Sequence, residues 1–169
     1  MILLTVLSFL LIVSYTIGVC AYTRGIPYSI SETFYKIKHK FWFAVATIGT
    51  AALLMPAILE VTPEQYQFLA FLACVGMMLT GAAPNFREGI EKGIHIAGAV
   101  MCLVFSQLWV AFLYPFILAL WFLYLIYTAI GIKSKWNGNL IQAFIYTKPM
   151  FFVEITAITS VYLCLMLLL

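Results

Sequence analysis

The sequence predicts an all-α integral membrane protein, with six transmembrane helices in a compact bundle. Three observations carry that prediction. The chain of 169 residues is 65% hydrophobic and 9% charged, with a mean hydropathy of +1.09, too little charge to cover a water-soluble domain. Apolar runs of about 20 residues, the length that crosses ~30 Å of hydrocarbon, recur six times. Every Lys and Arg falls in alternate connections between those runs. The chain reads as one transmembrane domain over 1–169, with spans near 2–22, 41–60, 64–83, 94–113, 115–131 and 150–169.

The first run, MILLTVLSFLLIVSYTIGVC, lacks the basic start and small-residue cleavage site of a signal peptide, so it is expected to stay as a membrane helix. Ser29 and Glu32 form a Ser-x-x-Glu capping box that would begin the second helix ahead of the membrane. Thr62-Pro63-Glu64-Gln65 places a cap and a first-turn proline before the third. Pro115 separates the fourth and fifth by a tight turn, and Pro149 starts the sixth. Trp136, Leu140, Ile141, Phe144 and Ile145 recur at helical spacing, which suggests a short interfacial helix near 136–147. An irregular loop with aromatic anchors is the other reading, because Gly138 weakens a helix there.

All nine basic residues follow the odd-numbered spans: Arg24, Lys36, Lys38 and Lys40; Arg87 and Lys92; Lys133, Lys135 and Lys148. The opposite side has none and carries Glu60 and Glu64. The positive-inside rule then turns the charged loops to the cytoplasm and both termini outward, as in a plasma (inner) membrane. Set against Glu32, Glu88 and Glu91, the nine cations leave that face at +6. They are expected to anchor the protein to lipid headgroups. Tyr22, Tyr28, Tyr35, Trp42, Trp136 and Tyr146 mark the inner interface, and Tyr66, Trp109 and Tyr114 the outer one.

An ionisable side chain inside a bilayer is costly and calls for a reason. Glu154 lies five residues past Pro149, about 7.5 Å into the inner leaflet at ~1.5 Å per residue. His95 opens the fourth helix at similar depth, with Asn85 at the end of the third and Glu32 at the start of the second. These four are the candidate ligand-binding residues, lining a polar cavity open to the cytoplasmic leaflet. Simpler roles stand beside that one: Glu154 paired with Lys133, Lys135 or Lys148, Glu32 as a cap, His95 as an interfacial hydrogen-bonder. Gly98, Cys102 and Ser106 follow helical spacing on the fourth span and suit close packing, and Gln107 suits a hydrogen bond between helices.

Catalytic readings fare poorly. Two His and no Asp fall short of a metal hydrolase or a bis-histidine haem, and no phosphate loop, GxSxG or zincin pattern occurs. Whether the protein is an enzyme is left open with the balance against it; no catalytic residue, metal ligand or cofactor is assigned. Cys20, Cys74, Cys102 and Cys164 have no paired spacing and read as small packing residues.

PYSISETF after the first span, and PNFREGIEKGIHIAGA from the end of the third span into the fourth, resemble segments of the DRAM/Frag/Sfk group of six-span membrane proteins and their bacterial relatives of unknown function. Pro27, Tyr28, Ile30, Ser31, Glu32, Thr33, Asn85, Phe86, His95, Gly98 and Ala99 carry the likeness. It implies a role in membrane lipid organisation or remodelling, with no catalytic residues to transfer. The eukaryotic members place the first loop on the lumenal side, whereas the lysines here place it inside.

Three functions follow from these features. The first is a lipid-associated multi-pass membrane protein of unknown specific activity, with membrane lipid as its partner. Anionic headgroups on the cytoplasmic side suit it best, because each basic residue near an anionic surface contributes ~1 kcal/mol. The second is an ion- or proton-coupled channel or transporter using Glu154 and His95. The third is a structural subunit, including a homo-oligomer, assembled through small-residue faces. Nucleic acid is not among the expected partners.

Overall fold

A computed structural model describes all 169 residues. It is all-α, with six helices long and apolar enough to cross a membrane, and the protein is a multi-pass membrane protein. The spans are α1 (Ile2–Tyr22), α3 (Phe41–Val61), α4 (Gln67–Ala82), α5 (Gly89–Leu113), α6 (Leu120–Ser134) and α8 (Pro149–Leu168). Single 3-10 turns, Glu64–Tyr66 and Pro115–Ala119, lead into α4 and α6 and complete their membrane length. Two short helices lie in the connections: α2 (Thr33–Lys36) and α7 (Leu140–Tyr146).

Five spans form a ring. α1 packs on α3, α3 on α4, α4 on α5 and α5 on α8. Tyr162 of α8 closes the ring onto α1, donating its hydroxyl proton to Ser8 Oγ at 2.9 Å and meeting Phe9 edge-on at 5.1 Å. The tightest seam joins α4 and α5. A Cβ on Gly76 would lie 2.5 Å from the Cys102 backbone nitrogen, and one on Gly98 would lie 2.8 Å from the Gly76 carbonyl. Only glycine allows backbones so close, the usual means of packing helices in lipid.

α6 stands outside the ring against α8 and α7. Gln107 of α5 ties it in: its Oε1 accepts from Trp121 Nε1 of α6 and from Ser160 Oγ of α8, both at 3.0 Å. A half-buried amide that bridges three helices in this way satisfies polar atoms that lipid cannot.

Several sequence expectations need correction. α5 begins at Gly89, five residues before the expected 94, since a helix backbone continues through Glu91 and Lys92 wherever these side chains reach water. Half of the Ser29–Glu32 capping box forms: the Glu32 amide donates to Ser29 Oγ at 3.0 Å, but the Glu32 carboxylate takes the Tyr28 amide instead of that of Ser29. The helix that follows, from Thr33, has no side-chain cap and is a single turn, because Ile37 turns extended (ψ 145°) before α3 begins at Phe41. Trp109 is fully buried rather than an interfacial anchor, donating to Thr62 Oγ1 at 3.0 Å. The interfacial segment is helical over Leu140–Tyr146, with Asn139 Oδ1 capping the amides of Ile141 and Gln142. Its Leu140, Ile141, Ile145 and Tyr146 side chains are exposed.

Candidate functional site

The ring surrounds a half-open cavity of about 150 Å³. Its wall on α3 runs from Phe43 to Ile58 and on α5 from Ala99 to Trp109, the latter spanning about 15 Å at ~1.5 Å per residue. A compact void of similar volume lodges a benzene-sized body; drawn out over that length it becomes a narrow slot. Of the 23 lining residues, 17 are hydrophobic, so the slot favours an apolar guest over a hydrated ion. This differs from the polar cavity expected from the sequence.

One carboxylate interrupts the apolar wall. Glu154 lies at the end of the slot where the basic loops gather, with Ile30 and Ser31 of the first loop beside it and Cys102 across from it on α5. The Ile30 amide donates to Glu154 Oε2, and the Ser31 amide also points at the carboxylate. No Lys, Arg or His lines the slot, and the one ion pair in the protein joins Lys36 to Glu32 at 3.1 Å. Backbone amides, not Lys133, Lys135 or Lys148, are therefore the partners of Glu154.

The first loop is folded over this end by specific contacts. The Phe151 amide of α8 donates to the Tyr28 carbonyl at 2.8 Å. Tyr15 of α1 and Thr33 share a hydroxyl–hydroxyl bond at 2.6 Å. Tyr35 donates to Asn85 Oδ1 at 2.9 Å and accepts the Arg87 amide at 3.1 Å, and the Arg87 guanidinium lies 4.1 Å from its ring centre. Lys40 sits 5.0 Å over Phe34. Inside the loop, Glu32 accepts the Tyr28 amide at 2.9 Å and pairs with Lys36. Burial raises the Glu32 carboxyl, but the Tyr28 amide and the Lys36 ammonium, with Lys148 farther off, outweigh it and hold the group below its ordinary value.

The four candidate binding residues separate. Glu154 lines the slot, whereas Glu32, Asn85 and His95 do not. Asn85 and Glu32 fasten the loops. His95 is buried, with Nδ1 at 3.1 Å from the Thr80 carbonyl and 3.0 Å from that of Ala83. Since both partners are acceptors, Nδ1 carries the proton, and the ring caps the C-terminal end of α4. Phe86 and Phe43 stack against it, at 4.8 and 6.4 Å. Of the packing candidates, Gly98 lies in the α4–α5 seam, Gln107 bridges three helices, and Cys102 and Ser106 line the slot. The basic residues all lie at the loop-covered end, as their sequence positions require.

From sequence, Thr50 offers only a step on a thin polar route through the outer half of the membrane. It lies mid-way along α3, 1% exposed, lines the slot, and its Oγ1 has no hydrogen-bond partner. A threonine in an apolar helix gives no sequence signal of this, because most such hydroxyls bond the carbonyl one turn back, as Thr47 does to Phe43 at 2.8 Å. No family model, no curated protein and no solved structure matches the chain.

Proposed function

We propose that this protein binds a single-chain amphiphile, a lipid or lipid fragment, with its chain in the slot between α1, α3, α4, α5 and α8 and its head at Glu154. The observation that carries this reading is the shape and lining of the slot: long, narrow, apolar along its walls and polar at one end. Apolar guests gain roughly 0.8 kcal/mol per buried CH₂, so a chain is the occupant such walls favour. The motif likeness to the DRAM/Frag/Sfk group points the same way, toward membrane lipid.

The positive-inside rule sets the orientation of the reading: the basic loops face the cytoplasm, so the head lies in the inner leaflet of the plasma membrane. The nine cations then hold the charged end against anionic headgroups. They work at the membrane surface and not in the slot, whose lining carries the Glu154 carboxyl group and no cation. A channel is less well supported, because ions would have to pass between Leu54, Ile58, Val161 and the buried Trp109.

Native mass spectrometry of the protein released from nanodiscs tests the reading. A retained single-chain lipid, lost when Ala99→Leu and Ala73→Leu fill the slot, supports it. An empty protein in both forms, folded and monodisperse, rejects it.

A further inference from the structure

We infer that the head recognised at Glu154 is a protonated amine, so that the guest is an alkyl primary amine rather than a fatty acid or a neutral lipid. The inference rests on the slot reading above and adds the chemistry of the head.

Three features converge on it. Glu154 is the only carboxylate on the slot, and no cationic side chain lines the slot or pairs with it. Its protein partners are two amides approaching from the loop, neutral donors that orient the carboxyl group and bring no opposite charge to it. Buried charges in proteins are paired or they become neutral. An ammonium entering from the slot supplies the missing charge and three N–H donors, and charge-assisted bonds of that type are the strong ones. A fatty acid would bring a second carboxylate against the first, which is repulsive, or force one of the two to take up a proton.

Trp109, fully buried at the far end of the slot, is the reporter. Protein with Trp42, Trp121 and Trp136 replaced by Phe is placed in phosphatidylcholine nanodiscs and titrated with terminally brominated hexylamine, hexanoic acid and hexanol. A chain whose head reaches Glu154 carries its bromine toward Trp109 and quenches it. The amine is expected to quench at a concentration at least about tenfold below the acid and the alcohol, the margin of one charge-assisted bond. Glu154→Gln, which keeps an acceptor for the Ile30 amide, is expected to erase that margin while the alcohol quenches as before. Equal quenching by all three chains in the unaltered protein would overturn the amine assignment and leave the chain-binding reading standing. No quenching by any chain would overturn both.

Discussion

The backbone amide of Ile30 donates to the side chain of Glu154, two residues 124 positions apart in the chain. Through that bond the first loop is folded onto the end of the last helix, and the one carboxylate in the slot is held in place by main-chain donors. Replacing Glu154 with Ala orphans the Ile30 and Ser31 amides, a loss of about 1–3 kcal/mol by the usual cost of buried unpaired donors. Glu154→Gln retains an acceptor and is expected to lose less. Thermal unfolding in nanodiscs should rank the proteins unaltered, Gln, Ala, and hydrogen exchange should rise first at residues 28–33. An unchanged exchange pattern in the Ala variant would show that the loop does not depend on Glu154.

The loop has a second, acid-sensitive fastening. Because Glu32 is held below its ordinary value when folded, its ionised form favours the folded loop. That contribution is fully present above the unfolded carboxyl value of about 4.3 and is lost as pH falls through the lower folded value. The Lys36 pair is partly exposed, so the effect is under about 1 kcal/mol. Tm measured from pH 6 down to pH 3 should fall less steeply in Glu32→Gln than in the unaltered protein. Parallel curves would mean that the pairing contributes nothing.

How much of this could be read from the sequence depends on the range of the interaction. Spans were legible because crossing a bilayer is a local matter of length and apolarity, and the limits of α1, α3 and α8 fall within a residue or two of expectation. The start of α5 was not, since Glu91 and Lys92 lower hydropathy without breaking a helix. The Ser29–Glu32 contact is a short-range pattern and was legible; the extended Ile37 that ends the turn after it carries no such mark. The slot is the hardest case. Its walls are ordinary membrane-helix residues from five segments, and nothing local distinguishes Leu54 or Val161 from a lipid-facing neighbour. Glu154 stood out because a carboxylate in a span is rare; its amide partners did not, because any residue can supply them.

The seam between α4 and α5 predicts a sharp contrast between two glycines of similar sequence setting. Gly76→Ala drives a methyl group into the Cys102 backbone, and overpacking of this kind costs about 1–3 kcal/mol. Gly93→Ala, with nothing within 4 Å of its new Cβ, is expected to be neutral or stabilising by up to about 1 kcal/mol through helix propensity. Thermal unfolding of the two variants side by side decides the matter, and equal loss in both would mean that the seam is less rigid than its geometry implies.

Gln107 predicts the behaviour of α6. With Trp121 and Ser160 both donating to its Oε1, Gln107→Leu strands the Trp121 indole N–H inside the membrane, while Ser160 keeps the Ala157 carbonyl at 2.8 Å. Interhelical bonds of this class average roughly 0.6 kcal/mol in lipid and reach about 1.7, so the bundle should survive. Because α6 lies outside the ring, its exchange protection should fall while that of α3 and α4 holds. Uniform loss across all spans would place α6 within the cooperative core.

The charge asymmetry makes the most exposed claim, the orientation of the chain. Nine basic residues lie at one end of the bundle and none at the other, and short loops of this kind obey the positive-inside rule most faithfully. A reporter active only in the cytoplasm should stay silent when fused after Leu169 and respond when inserted at Asn137, in the exposed turn before α7. Orientation also fixes the leaflet in which Glu154 lies, because the carboxylate and the lysines share one end. A responsive C-terminal fusion would move the head site to the outer leaflet, and the anionic lipids proposed to hold the basic loops would have to be sought there.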